Sequence, residues 1–351
     1  VRVRPRPGVE ALRAYRLGVV EAPVKLNQNE CPYDLPPDLK EEVLAALRAA
    51  PWNRYPPMRA DRCREAVASS CGVPPDHVLV TNGSNEAILA LFQTFATGGV
   101  VVLAEPGYSM APALAVAAGA RPHGVPLRSD LTVDAQALAQ AAQEHRAVVF
   151  VASPNNPTGR AADPETLESL LQRAPGLVVV DEAYWGFSPW SPLALLHRYP
   201  HLAVLRTASK ALGLAGARVG WIVAHPEVVD AVGRVLPPYN VNLFAQAAVE
   251  AAARRPELVA QRVREVVAER ERLAAGLRSL GVQVFPSDAN FLLIRVRDAQ
   301  ETFARLLERG VLVRDVSRFP LLAGCLRVTV GTPEENDAFL EALRAAQEVA
   351  V

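Results

Sequence analysis

Amines are rare in this chain. Of 37 Lys and Arg residues only Lys25, Lys40 and Lys210 are lysines. Lys210 stands just after the apolar run 202–205 and just before the Gly-rich stretch 213–220. A guanidinium stays protonated and is useless as a nucleophile, whereas an ammonium loses its proton when it is desolvated or set beside another cation. In a chain that otherwise uses Arg for surface charge, a Lys kept at this place points to chemistry that Arg cannot do, namely attack on a carbonyl.

Three more polar clusters follow apolar runs. Thr81-Asn82-Gly83-Ser84-Asn85-Glu86 is a Gly turn feeding a helix, whose first N–H groups can cradle an anion. Ser153-Pro154-Asn155-Asn156-Pro157-Thr158-Gly159 is a stiff loop that offers amide donors, and Asp181-Glu182-Ala183-Tyr184 sets a carboxylate at the end of a buried run. Each has an ordinary reading by itself: Ser84 as an N-cap, the Asn-Pro loop as a turn, Asp181 as a cap or half of a salt bridge.

Their order makes one argument. A pyridoxal 5′-phosphate site needs an amine for the aldehyde, supplied by Lys210, and an anion to keep the pyridine nitrogen protonated, supplied by Asp181. It needs a donor to the ring oxygen, for which Asn155 and Tyr184 fit. The phosphate needs ligands: the Ser84 and Asn85 backbone, the Thr207 and Ser209 hydroxyls, and Arg218. Tyr108, in Pro106-Gly107-Tyr108-Ser109, offers an aromatic face for the ring.

Such residues need a scaffold. Strands are expected at 78–80, 100–103, 147–151, 177–180, 202–205 and 218–223, with helices at 37–50, 59–71, 84–95, 110–118, 134–143 and 164–173. Continuous Val/Leu runs alternating with helices predict an α/β fold: a large domain whose mostly parallel sheet is sandwiched by helices, with ligands bound beyond the carboxyl ends of the strands. After Asn242 the texture becomes Ala- and Arg-rich and helical to about residue 280, broken at Pro256. Short strands at 283–285, 290–296, 311–313 and 326–330 and helices at 299–309 and from 333 then predict a smaller α+β domain. The boundaries expected are an arm at 1–34, a large domain at 35–240 and a small domain at 241–351.

The series Asn-Gly-Ser-Asn-Glu, Pro-Gly-Tyr, Ser-Pro-Asn-Asn-Pro-Thr-Gly, Asp-Glu-Ala-Tyr, Ser-Lys and Gly-x-Arg-x-Gly-Trp resembles the fold-type I pyridoxal phosphate aminotransferases, the aspartate aminotransferase-like group, over nearly the whole chain. Within that group Lys25-Leu26-Asn27-Gln28-Asn29-Glu30, Asn53-Arg54-Tyr55-Pro56, Val313-Arg314-Asp315 and Leu326 to Thr332 are most similar to the histidinol-phosphate aminotransferases. Asn85 stands where the family often has Asp. The resemblance implies a homodimer in which Tyr55 reaches the cofactor phosphate of the other subunit. It also implies that Tyr15, Asn155, Arg314 and Arg327 face the substrate, and that Lys210, Asp181 and Tyr184 are catalytic. The reaction implied exchanges an amino donor with a 2-oxo acid: histidinol phosphate with 2-oxoglutarate, in histidine biosynthesis. An aromatic amino acid aminotransferase and a phosphothreonine decarboxylase-like enzyme are the alternatives on the same scaffold. In an Arg-rich chain, Arg314 and Arg327 also have a plain reading as surface salt bridges.

Bulk composition fits. Half of the 351 residues are hydrophobic, 21% are charged and the formal net charge is zero, so nothing global attracts nucleic acid or an anionic membrane. The charged start has no apolar stretch behind it and is not read as a secretory signal; no run reaches the ~20 apolar residues of a membrane helix. Cys31, Cys63, Cys71 and Cys325 lack a Cys-x-x-Cys spacing and are expected as reduced thiols of a cytoplasmic protein, with no metal.

Overall fold

The computed structural model describes residues 3–14 and 20–348. Tyr15 lies outside them. Along the chain the strands are β1 Val24–Lys25, β2 Val78–Thr81, β3 Val100–Glu105, β4 Arg121–Pro126, β5 Val148–Ala152, β6 Val178–Asp181, β7 Leu202–Thr207, β8 Gly220–Ala224, β9 Gln283–Val284, β10 Phe291–Arg295, β11 Val311–Leu312, β12 Arg314–Asp315 and β13 Cys325–Thr329. The helices are α1 Pro7–Glu10, α2 Pro37–Ala49, α3 Asp61–Cys71, α4 Ser84–Phe95, α5 Met110–Ala117, α6 Ala135–His145, α7 Pro164–Arg173, α8 Pro226–Gly233, α9 Leu243–Ala253, α10 Pro256–Ser279, α11 Ala299–Glu308 and α12 Pro333–Glu348.

Seven strands form one sheet in the order β2-β8-β7-β6-β5-β3-β4. It is parallel from β7 through β4, while β8 runs antiparallel to both β7 and β2. Successive residues of the central strands enter opposite cores. Val101, Val179 and Ala203 pack with the Ala87–Phe92 face of α4, and Val149, Val178, Val180 and Val204 pack with Leu138, Leu167 and Leu171 of α6 and α7. A sheet buried on both faces explains why β3, β5, β6 and β7 read as unbroken apolar runs. Helix starts are set locally: Asp134, Asp163, Asn242 and Asp298 each accept a backbone N–H from the first turn of α6, α7, α9 and α11. The break expected at Pro256 is the first residue of α10, where the missing N–H costs nothing.

A second, four-stranded antiparallel sheet has the order β12-β13-β10-β9, and the early β1 pairs in parallel with β11. The loop after β5 is tied to the second sheet's lead-in: Asp288 N–H donates to Gly159 O at 2.7 Å and Ala161 N–H donates to Asp288 Oδ2 at 2.9 Å.

Two differences from the expected pattern matter. Strand β4 and helix α8 were not foreseen; β4 carries Pro122, Gly124 and Pro126 and is mostly exposed, which only a sheet edge tolerates. The strand expected from residue 218 begins at Gly220, and Arg218 sits before it in a left-handed conformation, φ 57°.

Candidate active site

The carboxyl ends of β2, β3, β5, β6 and β7 open on a cavity of about 540 Å³, roofed by the arm residues 27–30 and by Arg314, Phe319 and Arg327 of the second sheet's side. Among the residues expected from sequence, Ser84, Asn85, Tyr108, Asp181, Tyr184, Thr207, Ser209, Lys210, Arg218, Arg314 and Arg327 line it.

One end is built for an anion. The residue expected as the cap of α4, Ser84, is instead its first residue. The cap position is Gly83, at φ 80°, with no side-chain cap bond, so the helix start is left without an intramolecular acceptor from its cap. A Cβ on Gly83 would lie 2.8 Å from Arg218 Nη2, and one on Gly220 would lie 2.5 Å from Ser84 N. Two glycines thus let the guanidinium and the helix start come together. Arg218 Nη1 donates to Ala215 O (3.1 Å) and Ser209 Oγ (3.3 Å), and Thr207 Oγ1 lies 3.0 Å from Ser209 Oγ. Tyr108 donates its hydroxyl proton to Asn85 Oδ1 at 2.9 Å, which stands the ring beside this end.

At the middle, a carboxyl and an amine are both forced toward neutrality. Asp181 ends β6 and is 4% exposed; its carboxyl group's one hydrogen bond among the described residues comes from Ala183 N–H at 3.1 Å. Burial pushes its carboxyl up to about 7, with the Ala183 N–H opposing and Glu182 adding. Lys210 donates to Gln28 O at 2.9 Å. Burial lowers its amine to about 7, Arg327 and Arg218 help and Glu30 opposes. Glu182, next to Asp181, is handled differently: it accepts from Arg206 Nε at 2.7 Å, and that guanidinium also donates to Ser191 Oγ.

The far end is cationic. Arg314 and Arg327 are directly opposed partners of the β12–β13 pairing, so both side chains leave the same face. Arg327 is 8% exposed and donates to Asn156 Oδ1 and Asn27 O, both at 2.6 Å, with its guanidinium 5.4 Å from the Phe291 ring. Arg314 forms no salt bridge among the described residues, and Arg327 is buried at the cavity rather than lying on the surface. Two like charges in register are unfavourable unless an anion lies between them.

Two expected residues stand elsewhere. Asn155 is buried behind the wall, where its amide nitrogen donates to Pro106 O (2.9 Å) and Thr158 Oγ1 (3.0 Å). Tyr55 is 80% exposed and stacks on Tyr239, with ring centroids 4.5 Å apart. Sequence reasoning gave no role to Gln28, Asn29 or Asn156, which the fold brings to the cavity. Their one signal was a polar run beside the buried Leu26 and a second Asn in the Pro-bounded loop.

Because the Asp181 carboxyl is raised by folding, the protein binds that proton more tightly folded than unfolded. The associated stability is full below the ordinary value of 3.8 and is lost as pH rises through about 7. We therefore expect Asp181→Asn, in protein stripped of small molecules, to melt several degrees above wild type at pH 8, and to match wild type within about a degree at pH 4. Thermal unfolding at both pH values measures this; a difference independent of pH would rule out the buried carboxylate as its source.

The geometry has relatives. The family described as aminotransferase class I and II matches residues 21–343. A histidinol-phosphate aminotransferase of Chlorobaculum tepidum is 41% identical over 343 residues, covering 96% of this chain and 99% of that one. One from Thermococcus kodakarensis is 43% identical over 345 residues, covering 98% and 99%. The crystal structure of histidinol-phosphate aminotransferase from Sinorhizobium meliloti in complex with pyridoxal 5′-phosphate superposes with a TM-score of 0.91 over 100% of this chain and 99% of that one, at 23% identity, a likeness of fold. With a family match over most of its length and relatives above 40% identity, the chain belongs to the class I and II aminotransferases.

Proposed function

We propose that this enzyme uses pyridoxal 5′-phosphate to move an amino group between histidinol phosphate and 2-oxoglutarate. In the biosynthetic direction it makes histidinol phosphate from imidazole-acetol phosphate and glutamate, for histidine biosynthesis. The observation that carries this reading is one cavity holding an anion cradle, a buried amine and carboxyl, and a second cationic end. Its relatives of that name support the substrate.

The donor set fits the cofactor. The Ser84–Asn85 helix start, Thr207, Ser209 and Arg218 would hold the phosphate, Tyr108 would face the ring, and Asp181 would meet the ring nitrogen, whose N–H supplies the partner this carboxyl lacks. When bound, the cofactor supplies an aldehyde for the amine and an electron-poor ring that takes up the electron pair left when the substrate loses its α-proton. Lys210 is the attachment point. Its Nζ, lowered to about 7, would be the base that takes the α-proton and delivers a proton to the carbon that was the aldehyde's. Tyr184 would donate to the ring oxygen. Asn155 joins it only by turning an amide hydrogen away from Pro106 or Thr158. Arg314 and Arg327 grip the phosphate of the substrate from one side of the cavity; Tyr15 keeps its proposed place at the substrate.

The division into an arm at 1–34, a cofactor-binding domain at 35–240 and a small domain at 241–351 belongs to the same proposal. It is supported by strands of the large sheet falling between 78 and 224 and those of the small one between 283 and 329. So does a homodimer with shared sites. Trp52, Tyr55, Met58, Val235, Tyr239 and Phe244 are exposed, and their two segments meet at the Tyr55–Tyr239 stack, an apolar surface that a second subunit would cover. In this reading the setting is the cytoplasm; among the described residues no helix is long and apolar enough to cross a membrane.

Borohydride treatment of cofactor-loaded protein is expected to fix the cofactor on the Lys210 peptide; label on Lys25 or Lys40 would refute the assignment. Mixing inactive Lys210→Ala with Tyr55→Phe subunits should restore activity above either parent, because a hybrid then contains one site free of both lesions. No rescue, with mixing confirmed, counts against a trans-acting Tyr55. For the substrate, a lost charged hydrogen bond costs ~1.5–3 kcal/mol, so Arg314→Ala and Arg327→Ala should each lower kcat/KM for histidinol phosphate roughly ten- to a hundredfold. The loss should be far smaller with histidinol. If Arg314→Ala weakens both donors equally, or if phenylalanine or tyrosine outperforms histidinol phosphate in wild type, the phosphate-reading assignment is wrong.

A further inference from the structure

The arm residue Asn29 is fully buried, 1% exposed, and held in a left-handed conformation, φ 54°, by bonds to two separate elements. Its backbone N–H donates to Thr329 Oγ1 at 2.9 Å, and its backbone O accepts from Asn290 Nδ2 at 3.1 Å. The side chain then bridges β13 to the cavity. Oδ1 accepts from Thr329 Oγ1 at 3.0 Å, and Nδ2 donates to the Tyr184 hydroxyl at 2.9 Å.

These contacts orient the amide. Thr329 is 3% exposed, already accepts from the Asn29 N–H, and has a single proton, which needs an acceptor; Asn29 Oδ1 is that acceptor. Nδ2 is therefore turned to Tyr184. A phenol that accepts on this side keeps its own proton for another direction, and Tyr184 borders the cavity. We propose that Asn29 is a positioning residue which, by donating to the Tyr184 oxygen, aims the phenol proton into the cavity and strengthens it as a donor to the bound cofactor's ring oxygen. This rests on the cofactor reading above and goes beyond it, since it makes the arm part of the proton inventory of the site.

The other groups around Tyr184 are accounted for. Lys210 Nζ lies 6.0 Å from its ring centroid, and Phe291 packs edge-on at 5.1 Å. Burial pushes the phenol up, Arg327 and the Asn29 bond pull it down, and Asp181 adds to the rise. None of these sets the direction of the hydroxyl proton; Asn29 does.

The test uses cofactor-loaded full-length protein and reads visible absorbance against pH. A hydrogen bond donated to an oxygen favours its deprotonated form, so losing the donor raises the midpoint of the cofactor's protonation. Tyr184→Phe is the reference shift. Asn29→Asp is isosteric and tolerates the left-handed backbone, but once ionised it accepts from the phenol and draws its proton away. Asn29→Gly also tolerates that backbone and removes the donor. Both are expected to raise the midpoint, Asn29→Gly by about one unit. In the Tyr184→Phe background Asn29→Gly should move it no further. An unchanged midpoint in the Asn29 variants, or an equal shift with and without the Tyr184 hydroxyl, overturns the inference, the second outcome marking a merely structural role. If wild type forms no pH-dependent visible band with pyridoxal 5′-phosphate, the cofactor reading fails and this inference falls with it.

Discussion

Burial acts on Asp181 and Lys210 in the same place and in opposite chemical directions. Asp181 is the last residue of the central strand β6 and Lys210 follows the end of β7, and each is taken out of water without a full counter-charge among the described residues. The carboxyl is driven up and the amine down until both titrate near pH 7. They do not neutralise one another by an ion pair, so the fold carries two uncompensated groups. The contrast with Glu182 is instructive. One residue along the same strand end, a buried acid is given a guanidinium from Arg206, a hydroxyl from Ser191, and the Trp185 ring 5.1 Å from that guanidinium. The chain has the means to satisfy a buried acid and leaves Asp181 without them. A ligand bearing a protonated nitrogen and an aldehyde would relieve both groups at once, which is why the cofactor reading follows from energetics as much as from resemblance.

The rest of the architecture keeps water away from that pair. Leu26 anchors the arm in the core beside the second sheet, and the following residues cross the cavity: Asn27 O accepts a hydrogen bond from Arg327, Gln28 O accepts one from Lys210, and Asn29 reaches Tyr184. The proposed substrate-reading and cofactor-holding groups are thus linked through a few backbone carbonyls. A change at Arg327 is felt at Lys210 both through the field and through the shared strap of chain.

The parts legible in sequence were those with one physical cause. Strands β3, β5, β6 and β7 announce themselves because both faces are buried, Asp181 because a charge at the end of such a run is costly, and Lys210 because lysine is scarce in a chain that otherwise uses Arg. What stayed hidden depends on distant partners. Strand β4 has the composition of a turn and becomes a strand only because β3 offers an open edge. Arg218 looked like the start of β8, yet its backbone is left-handed and its guanidinium is seated against Gly83, a residue more than 130 positions earlier in the chain. Asn29 belongs to a segment with no periodicity, and its place comes from Thr329, some 300 positions away. Asn155 shows the reverse case: the right residue type in the right loop, with its hydrogens spent on holding the turn around Gly107.

The opposed pair Arg314 and Arg327 has an evolutionary corollary. Arg327 is woven into the interior: it holds Asn27 and Asn156, and its strand is flanked on both sides. Arg314 occupies a two-residue strand at the rim of the smaller sheet, with no side-chain obligations among the described residues. One cation is therefore fixed by folding and the other is free to vary. In the proposed reading of the site, Arg314 could be traded for an aromatic or a neutral residue without rebuilding the scaffold, and a doubly charged substrate exchanged for a singly charged one.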